Sequence, residues 1–260
     1  MRYFSVVHRP VEWRLPSFME MVSATPQGAG VTDIAAPYPA LASQAADLGE
    51  YATLFALRRV LEAARAGQEP VPGEMVGISH QRRFAVTRPT GTPSSGQGVI
   101  RPDVLRKLSR DRFVPRNGTL LYPSPVALPS PLLRHHARDH ATRDLLLVMA
   151  LAIDVGVASG DRVSAWLDAG AVVPTPSIGV CPEDWFIQSQ TALESVVDAF
   201  RSSAAVERAG YQRRAIPSCL RVLHGLLLSM LLESWPADRL ISHPTLLVSA
   251  DGQPHPSSSS

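Results

Sequence analysis

The order strand, helix, strand in the first third of the chain constrains the fold more than any other feature. A short run of aromatic and β-branched residues, 3–7, ends at a charged, proline-containing break. Apolar residues then recur at near-helical spacing over residues 45–66, which predicts an amphipathic helix. A second short apolar run, residues 75–79, follows a turn rich in Pro and Gly. This alternation predicts an α/β sheet.

The rest of the chain continues the alternation. A third strand is predicted at residues 118–122, and helices are predicted at residues 131–157, 185–200 and 216–233. Residues 86–101 are rich in Thr, Pro, Ser and Gly, a composition typical of a mobile loop. We therefore expect one α/β domain over residues 1–250, followed by a disordered tail at residues 251–260.

Composition excludes several classes of protein. With 260 residues, 45% of them hydrophobic, the chain can bury a full globular core. Its net charge of +2 is too small for a general nucleic-acid binder. The two cysteines lack metal-site spacing, which fits a reducing compartment. No secretion signal is visible, and the most apolar stretches, 145–153 and 226–232, reach about half of the roughly 20 residues that span a bilayer. We expect a soluble, cytoplasmic protein and leave peripheral membrane contact open.

Two adjacent arginines, Arg82 and Arg83, follow the predicted strand 75–79. One of the 25 basic residues is lysine, so nearly all positive charge lies on guanidinium groups, which grip phosphate in a planar, two-pronged way. An arginine pair at a strand end is more often solvated or salt-bridged. If the backbone turns there, both side chains can instead serve one anionic ligand at the carboxyl edge of the sheet.

A histidine-rich segment places His136, His140 and Asp144 at helical spacing. On one helix the three form a single polar stripe, which is also two imidazoles and one carboxylate of a metal site. The glutamate of an H-E-x-x-H motif is absent, and neighbouring arginines repel a cation. We keep the metal enzyme as a minor alternative.

Acidic residues precede two aromatics at residues 183–186. Glu183 or Asp184 could cap a helix. Alternatively, one of them accepts a proton from a substrate hydroxyl while Trp185 offers its flat face to a sugar ring. The sequence contains no P-loop or G-x-G-x-x-G motif, and no Ser-His-Asp set is apparent, which excludes most common hydrolases, kinases and dinucleotide enzymes.

These segments, taken in order, resemble a bacterial family of exopolysaccharide-biosynthesis glycosyltransferase-like proteins with an H-Y-R-R motif. The motif resembles H-Q-R-R at residues 80–83, with Gln81 in place of the tyrosine. Other family patterns resemble V-V-H-R at residues 6–9, E-Y-A-T-L-F-A at 50–56, the spacing of His136, His140 and Asp144, D-W-F-I at 184–187, and the helix from Arg221 to Glu233. The resemblance covers most of the chain.

The resemblance implies a single-domain nucleotide-sugar transferase fold of the A type, with a mixed, mostly parallel sheet flanked by helices. It places the donor at the carboxyl edge of the strands, with His8 near the nucleotide and Arg82 and Arg83 on the diphosphate. His80 would help in its protonated form, and His140 would border the same site. The base would be Asp184 or Asp144.

The chain lacks the Asp-x-Asp sequence with which many such transferases hold a divalent ion. Mn²⁺ or Mg²⁺ is therefore not indicated as a cofactor, and no metal ligands are assigned. The arginine pair would supply the positive charge that the leaving diphosphate needs.

The expected function is that of a hexosyltransferase-like enzyme that moves a sugar from a nucleotide-sugar donor to a glycan or other hydroxyl acceptor. The alternative is a non-catalytic member that binds a nucleotide sugar or a partner enzyme. Substitutions at three motif positions, Gln81, His136 and Asp184, support this alternative.

Overall fold

The computed structural model describes residues 1–10, 12–67, 73–203 and 215–250. The tail predicted at 251–260 lies outside the described residues. The strands are β1 (Arg2–Val6), β2 (Glu20–Ser23), β3 (Thr32–Asp33), β4 (Met75–His80), β5 (Arg83–Phe84), β6 (Thr92–Ser94), β7 (Gln97–Ile100), β8 (Leu120–Pro123), β9 (Val126–Ala127), β10 (Ala171–Val172), β11 (Gly179–Pro182), β12 (Leu240–His243) and β13 (Leu246–Val248). The helices are α1 (Pro39–Ser43), α2 (Ala45–Leu48), α3 (Glu50–Arg65), α4 (Pro102–Leu105), α5 (Leu132–His136), α6 (Thr142–Asp154), α7 (Gly160–Leu167), α8 (Glu183–Ser203) and α9 (Ala215–Ser234).

The central sheet has the strand order β3-β2-β1-β4-β11-β8-β12. Strands β1 to β4 pair in parallel, and β12 pairs in parallel with β8. Strand β11 is antiparallel to both of its neighbours. The sheet is therefore mixed and mostly parallel, and helices flank it, as the family resemblance implies.

A tight turn after β4 extends the sheet in a second direction. His80 pairs with Arg83 across this turn, and β5 then pairs with β13, which in turn pairs with β7. Strand β6 closes this part as a hairpin with β7. Strands β9 and β10 form a separate two-stranded ribbon.

Side chains that alternate along β1 face two hydrophobic cores. Phe4 packs into the core formed with α3, α6, α8 and α9, whereas Tyr3 packs into the core that contains Phe84 and Phe113. Successive side chains of a strand point to opposite faces, so the central strands are buried on both sides. All six residues of β4 are buried.

The three strands predicted at residues 3–7, 75–79 and 118–122 lie in one sheet, and this prediction is confirmed. The predicted helix at 45–66 is divided into α2 and α3. Gly49 separates them with a φ of 57°, a left-handed conformation that glycine adopts without steric cost. Helix α3 packs on the sheet as expected, burying residues such as Leu54 and Phe55.

Two predictions were wrong in detail. Residues 86–101 were expected to form a mobile loop, but they contain β6 and β7, because β13 from the far end of the chain pairs with β7. The helix predicted at 131–157 is two helices, α5 and α6, with turns between them. Asp144 lies in the first turn of α6, where the helix dipole favours a carboxylate.

Helix α9 has the length and composition of a membrane span. Its 20 residues include a window with a mean hydropathy of 1.7, of which 50% is buried within the fold. Leu220 and Leu223 are among the residues that pack into the core with α6 and α8. A helix at the centre of a protein core has the same composition, so this feature is weak evidence for membrane insertion.

The close approach of β11 to β8 depends on Gly179. Its φ is 144°, and a Cβ there would lie 2.0 Å from the Leu121 carbonyl oxygen. We expect Gly179→Ala to lower the free energy of unfolding by about 2–3 kcal/mol, because both backbone strain and a backbone clash result. Gly170→Ala is the control, because no atom lies within 4 Å of the added Cβ. Equal urea midpoints for the two variants would contradict this account.

Candidate functional site

Four elements bring polar side chains to the carboxyl edge of β1 and β4. The two strands pair in parallel with Val6 opposite His80, so His8 and His80 lie at the same edge. Helix α3 begins at this edge with Glu50, and antiparallel β11 brings Ser177, two residues before it, to the same place. The predicted convergence of His8 and His80 is therefore observed.

Glu50 is the carboxylate around which these groups are arranged. Ser177 Oγ donates a hydrogen bond to Glu50 Oε1 at 3.2 Å, and His80 Nε2 lies 3.3 Å from Glu50 Oε2. Ser177 Oγ is also 3.2 Å from His80 Nε2. Because a carboxylate only accepts, these contacts assign the imidazole proton to Nε2. His80 is thus held in one tautomer by two side chains.

Burial and charge set the protonation states of this cluster. Burial raises the Glu50 pKa, but His80, Arg221, a hydrogen bond from Ser177 and His224 together lower it below its usual value, so Glu50 is ionised at neutral pH. Burial lowers the pKa of His80, and the Glu50 charge offsets this only in part. His80 is therefore neutral at pH 7, so the condition under which it would add positive charge is not met.

Two guanidinium groups, those of Arg83 and Arg221, lie near this carboxylate, and Arg82 lies beside Arg83. The pKa of Arg83 is lowered by burial, and nearby Arg221 and Arg82 lower it further, against the opposite effect of Glu50. Arg82 Nε donates to the Val248 carbonyl oxygen at 3.2 Å. The turn at the end of β4 therefore places both arginines near one edge, as the sequence argument required. Arg221, from α9, joins them.

The pKa of His8 is also lowered. Burial is the largest cause, Glu50 acts in the opposite direction, and Arg9 and Arg83 lower it further. His8 is thus a neutral imidazole at the edge of the arginine group, not a further cation.

The histidine-rich segment lies beside the same arginine group. The rings of His136 and His140 are 4.9 Å apart, and Arg221 is close enough to lower the pKa of both imidazoles. Both rings border a cavity of about 250 Å³ that Arg221 also lines. Arg221 therefore connects this cavity to the cluster at Glu50.

The metal-site alternative for His136, His140 and Asp144 is wrong. The helix ends at His136, and Asp144 belongs to the next helix, so the three do not form one stripe. Within the ranges that the structure describes, no group of three His, Cys, Asp or Glu side chains could hold a metal ion.

Asp184 lies at the opposite edge of the sheet. It follows β11, whose end, Pro182, pairs with Met75 at the start of β4. Its carboxylate forms an ion pair with Arg65, at the last residue of α3, about 22 Å along that helix from Glu50. The expectation that Asp184 acts at the arginine site is therefore wrong. Asp144 is buried in the first turn of α6, four residues after His140.

Sequence reasoning did not assign Glu50, Ser177, Arg221 or His224 to the site. Glu50 and Arg221 stand in segments that carry the family resemblance, and both are charged residues within them. That pattern was a usable signal. Ser177 had none, because only the pairing of β11 with β4 brings it to Glu50.

A solved structure has a similar fold. The apo structure of WbbM, a bifunctional glycosyltransferase, matches 100% of this chain with a TM-score of 0.76 and 14% sequence identity. This chain spans 48% of the WbbM chain. No family model and no curated protein matches the sequence. The likeness establishes the fold as that of a glycosyltransferase-like α/β domain.

Buried His224 predicts that the fold weakens in acid. Burial lowers its pKa from 6.5 to about 4, so between these values the unfolded chain binds a proton that the folded chain does not. The stability gained by keeping His224 neutral is fully present above about pH 6.5 and is lost as the pH falls toward 4. We expect His224→Gln to remove about 2 kcal/mol of the decrease in unfolding free energy between pH 7 and 5.

Urea unfolding at a series of pH values measures this effect. His243→Gln, on β12 away from the cluster, is the control substitution. A pH dependence in His224→Gln that equals that of the wild type would show that this imidazole does not govern acid stability.

Proposed function

We propose that this chain is a glycosyltransferase that moves a sugar from a nucleotide-sugar donor to a glycan or other hydroxyl acceptor. The observation that supports it is the group formed by Arg82, Arg83 and Arg221 at the carboxyl edge of a mostly parallel sheet. Ligands of open α/β sheets bind at this edge. The similar fold of WbbM makes sugar transfer the leading chemistry.

In this proposal the arginines hold the donor diphosphate. Burial lowers the pKa of Arg83, and the nearby Arg221 and Arg82 lower it further, so a bound anion would stabilise the charged form of this group. Guanidinium groups bind phosphate through paired, charge-assisted hydrogen bonds. Charge placed where the leaving group becomes negative stabilises the transition state. The reaction would then need no divalent ion, because the arginines supply the charge.

Glu50 would act as a positioning residue. It fixes the tautomer of neutral His80 and orders the cations around it. From the sequence resemblance we extend the proposal to a hexosyl group, to exopolysaccharide synthesis and to a cytoplasmic location. Asp144 is our proposed base, and His140 and His8 are proposed to border the bound donor.

Conservative arginine substitutions test the diphosphate contact. We expect Arg83→Lys and Arg221→Lys to weaken binding of uridine or guanosine diphosphate by about ten- to a hundredfold, because lysine keeps the charge but loses the planar fork. Arg82→Lys should weaken it also. Arg88→Lys is the matched control, because Arg88 pairs with exposed Asp111 at 3.3 Å.

Calorimetric titration in EDTA and then in excess Mn²⁺ measures these affinities. Binding by the wild type only with Mn²⁺, or equal affinities in all four variants, would contradict the arginine mechanism. Tight binding of a nucleotide sugar without any transfer would instead favour the non-catalytic alternative.

The two predicted carboxylates should behave differently. We expect Asp144→Asn to lower kcat about a hundredfold or more with donor affinity unchanged, since loss of a general base has this order of effect. Asp184→Asn should leave turnover unchanged, because Asp184 lies at the far edge of the sheet. Melting temperatures check that the Asp144 variant folds. Unchanged turnover in Asp144→Asn would remove it as the base.

A further inference from the structure

The cavity beside Arg221 has a volume of about 250 Å³. This is below the roughly 300–1,000 Å³ of pockets that hold drug-sized ligands, so it suits one small ring better than a nucleotide. The connection between α5 and α6 forms one wall, and α7, α9 and the segment after β10 form the others. The lining residues are Val126, Leu128, Leu132, His135, His136, Asp139, His140, Trp166, Val172, Val173, Pro174, Ser218, Arg221, Val222 and Gly225.

One wall is an indole ring held in a fixed place. Trp166 Nε1 donates a hydrogen bond to the Val222 carbonyl oxygen at 2.9 Å. A Cβ at position 225 would lie 2.9 Å from Trp166 Cζ2, so Gly225 is what lets the ring lie against α9. A fixed aromatic ring beside aliphatic side chains offers a flat apolar surface of the kind that packs against the C–H face of a sugar.

Two imidazole nitrogens in the lining have no hydrogen-bond partner among the described residues. They are His135 Nδ1 and His136 Nε2. The His136 residue is 6% exposed, and leaving such a nitrogen unpaired costs free energy. Both nitrogens are closed to solvent as the side chains stand, so a small rotation of each ring would have to open them to the cavity. A ligand hydroxyl group can then donate to or accept from the neutral imidazole.

The charges that line the cavity favour an uncharged ligand. The pKa of His136 is lowered to about 4, chiefly by burial, and that of His140 is also lowered, so both rings are neutral at pH 7. The ionised side chains of the lining, Arg221 and Asp139, carry opposite charges. An anion would gain little net attraction here, in contrast to the neighbouring arginine group.

We infer that this cavity binds one uncharged, hydroxyl-bearing sugar ring, packed on Trp166 and hydrogen-bonded by His135 and His136. The inference rests on the proposed function, since Arg221 lies both on the cavity wall and beside Arg83. A ring in the cavity would therefore adjoin a diphosphate bound by the arginines. The ring could belong to the acceptor or to the sugar of the donor.

A cavity-filling variant tests the inference. Val172→Phe adds a ring at a half-buried position of the lining, and Val114→Phe makes the same change at a half-buried position in the other core. The probes are methyl pyranosides of glucose, galactose, mannose and N-acetylglucosamine, together with glucuronate. Saturation-transfer NMR and tryptophan fluorescence report binding by the purified chain.

We expect at least one neutral pyranoside to bind the wild type and Val114→Phe alike, and to bind Val172→Phe at least tenfold more weakly. Glucuronate should bind no more tightly than its neutral counterpart. Gly225→Ala should also weaken pyranoside binding, because it displaces the Trp166 ring. Two outcomes would overturn the inference. One is that neither a pyranoside nor a nucleotide sugar binds the wild type saturably, and the other is that Val172→Phe binds these ligands as tightly as the wild type does.

Nucleotide sugars distinguish the source of the ring. If Val172→Phe weakens the binding of a nucleotide sugar but not that of the matching nucleoside diphosphate, the cavity holds the sugar of the donor. If it weakens only the binding of the free pyranoside, the cavity holds the acceptor. Diphosphate binding without any effect of Val172→Phe would leave the proposed function intact and reject this inference alone. If the wild type binds no nucleoside diphosphate, the proposed function is rejected.

Discussion

The Glu50 carboxylate is the constraint on which the arrangement of the site depends. It lies at the first residue of α3, beside the ends of β1 and β4, accepts a hydrogen bond from Ser177 and lies 3.3 Å from His80 Nε2. Helix α3, strand β4 and the segment before β11 are thus joined through one ionised group. Partners stabilise a charge that is only partly exposed to water, and the positive end of the helix dipole adds to them. The helix, the strand ends and the guanidinium groups must therefore be positioned together.

The cations of the site are not matched by equal negative charge. Arg83 is close to both Arg82 and Arg221, and its pKa is lowered first by burial and then by these two neighbouring charges. The neighbouring imidazoles add no further positive charge, because burial keeps His80 and His8 neutral. An anion bound beside these groups would stabilise their charged forms. This local excess of guanidinium groups, and not the total net charge of +2, supports the proposed anionic ligand.

Sequence reasoning predicted the parts of the fold that follow from local periodicity. Strands β1 and β4 and the body of α3 were recognised because their apolar residues repeat at strand or helix spacing, and the location of His80 and Arg83 at a strand end followed. Interactions distant in sequence were missed. Pairing with β13 turns a loop-like composition into β7, and the antiparallel course of β11 carries Asp184 away from the site while it brings Ser177 in. Neither pairing leaves a trace in the local sequence.

Arg221 makes the two halves of the site interdependent. Its guanidinium lies near enough to Glu50, His80 and Arg83 to act on their pKa values, and it also forms part of the wall of the neighbouring cavity. A ligand that draws this side chain toward the arginine group changes the wall that a second ligand meets. By thermodynamic linkage, the second ligand must change the affinity for the first by the same factor. If both proposed ligands bind, the shared Arg221 side chain is sufficient to couple their affinities, with no movement of the sheet.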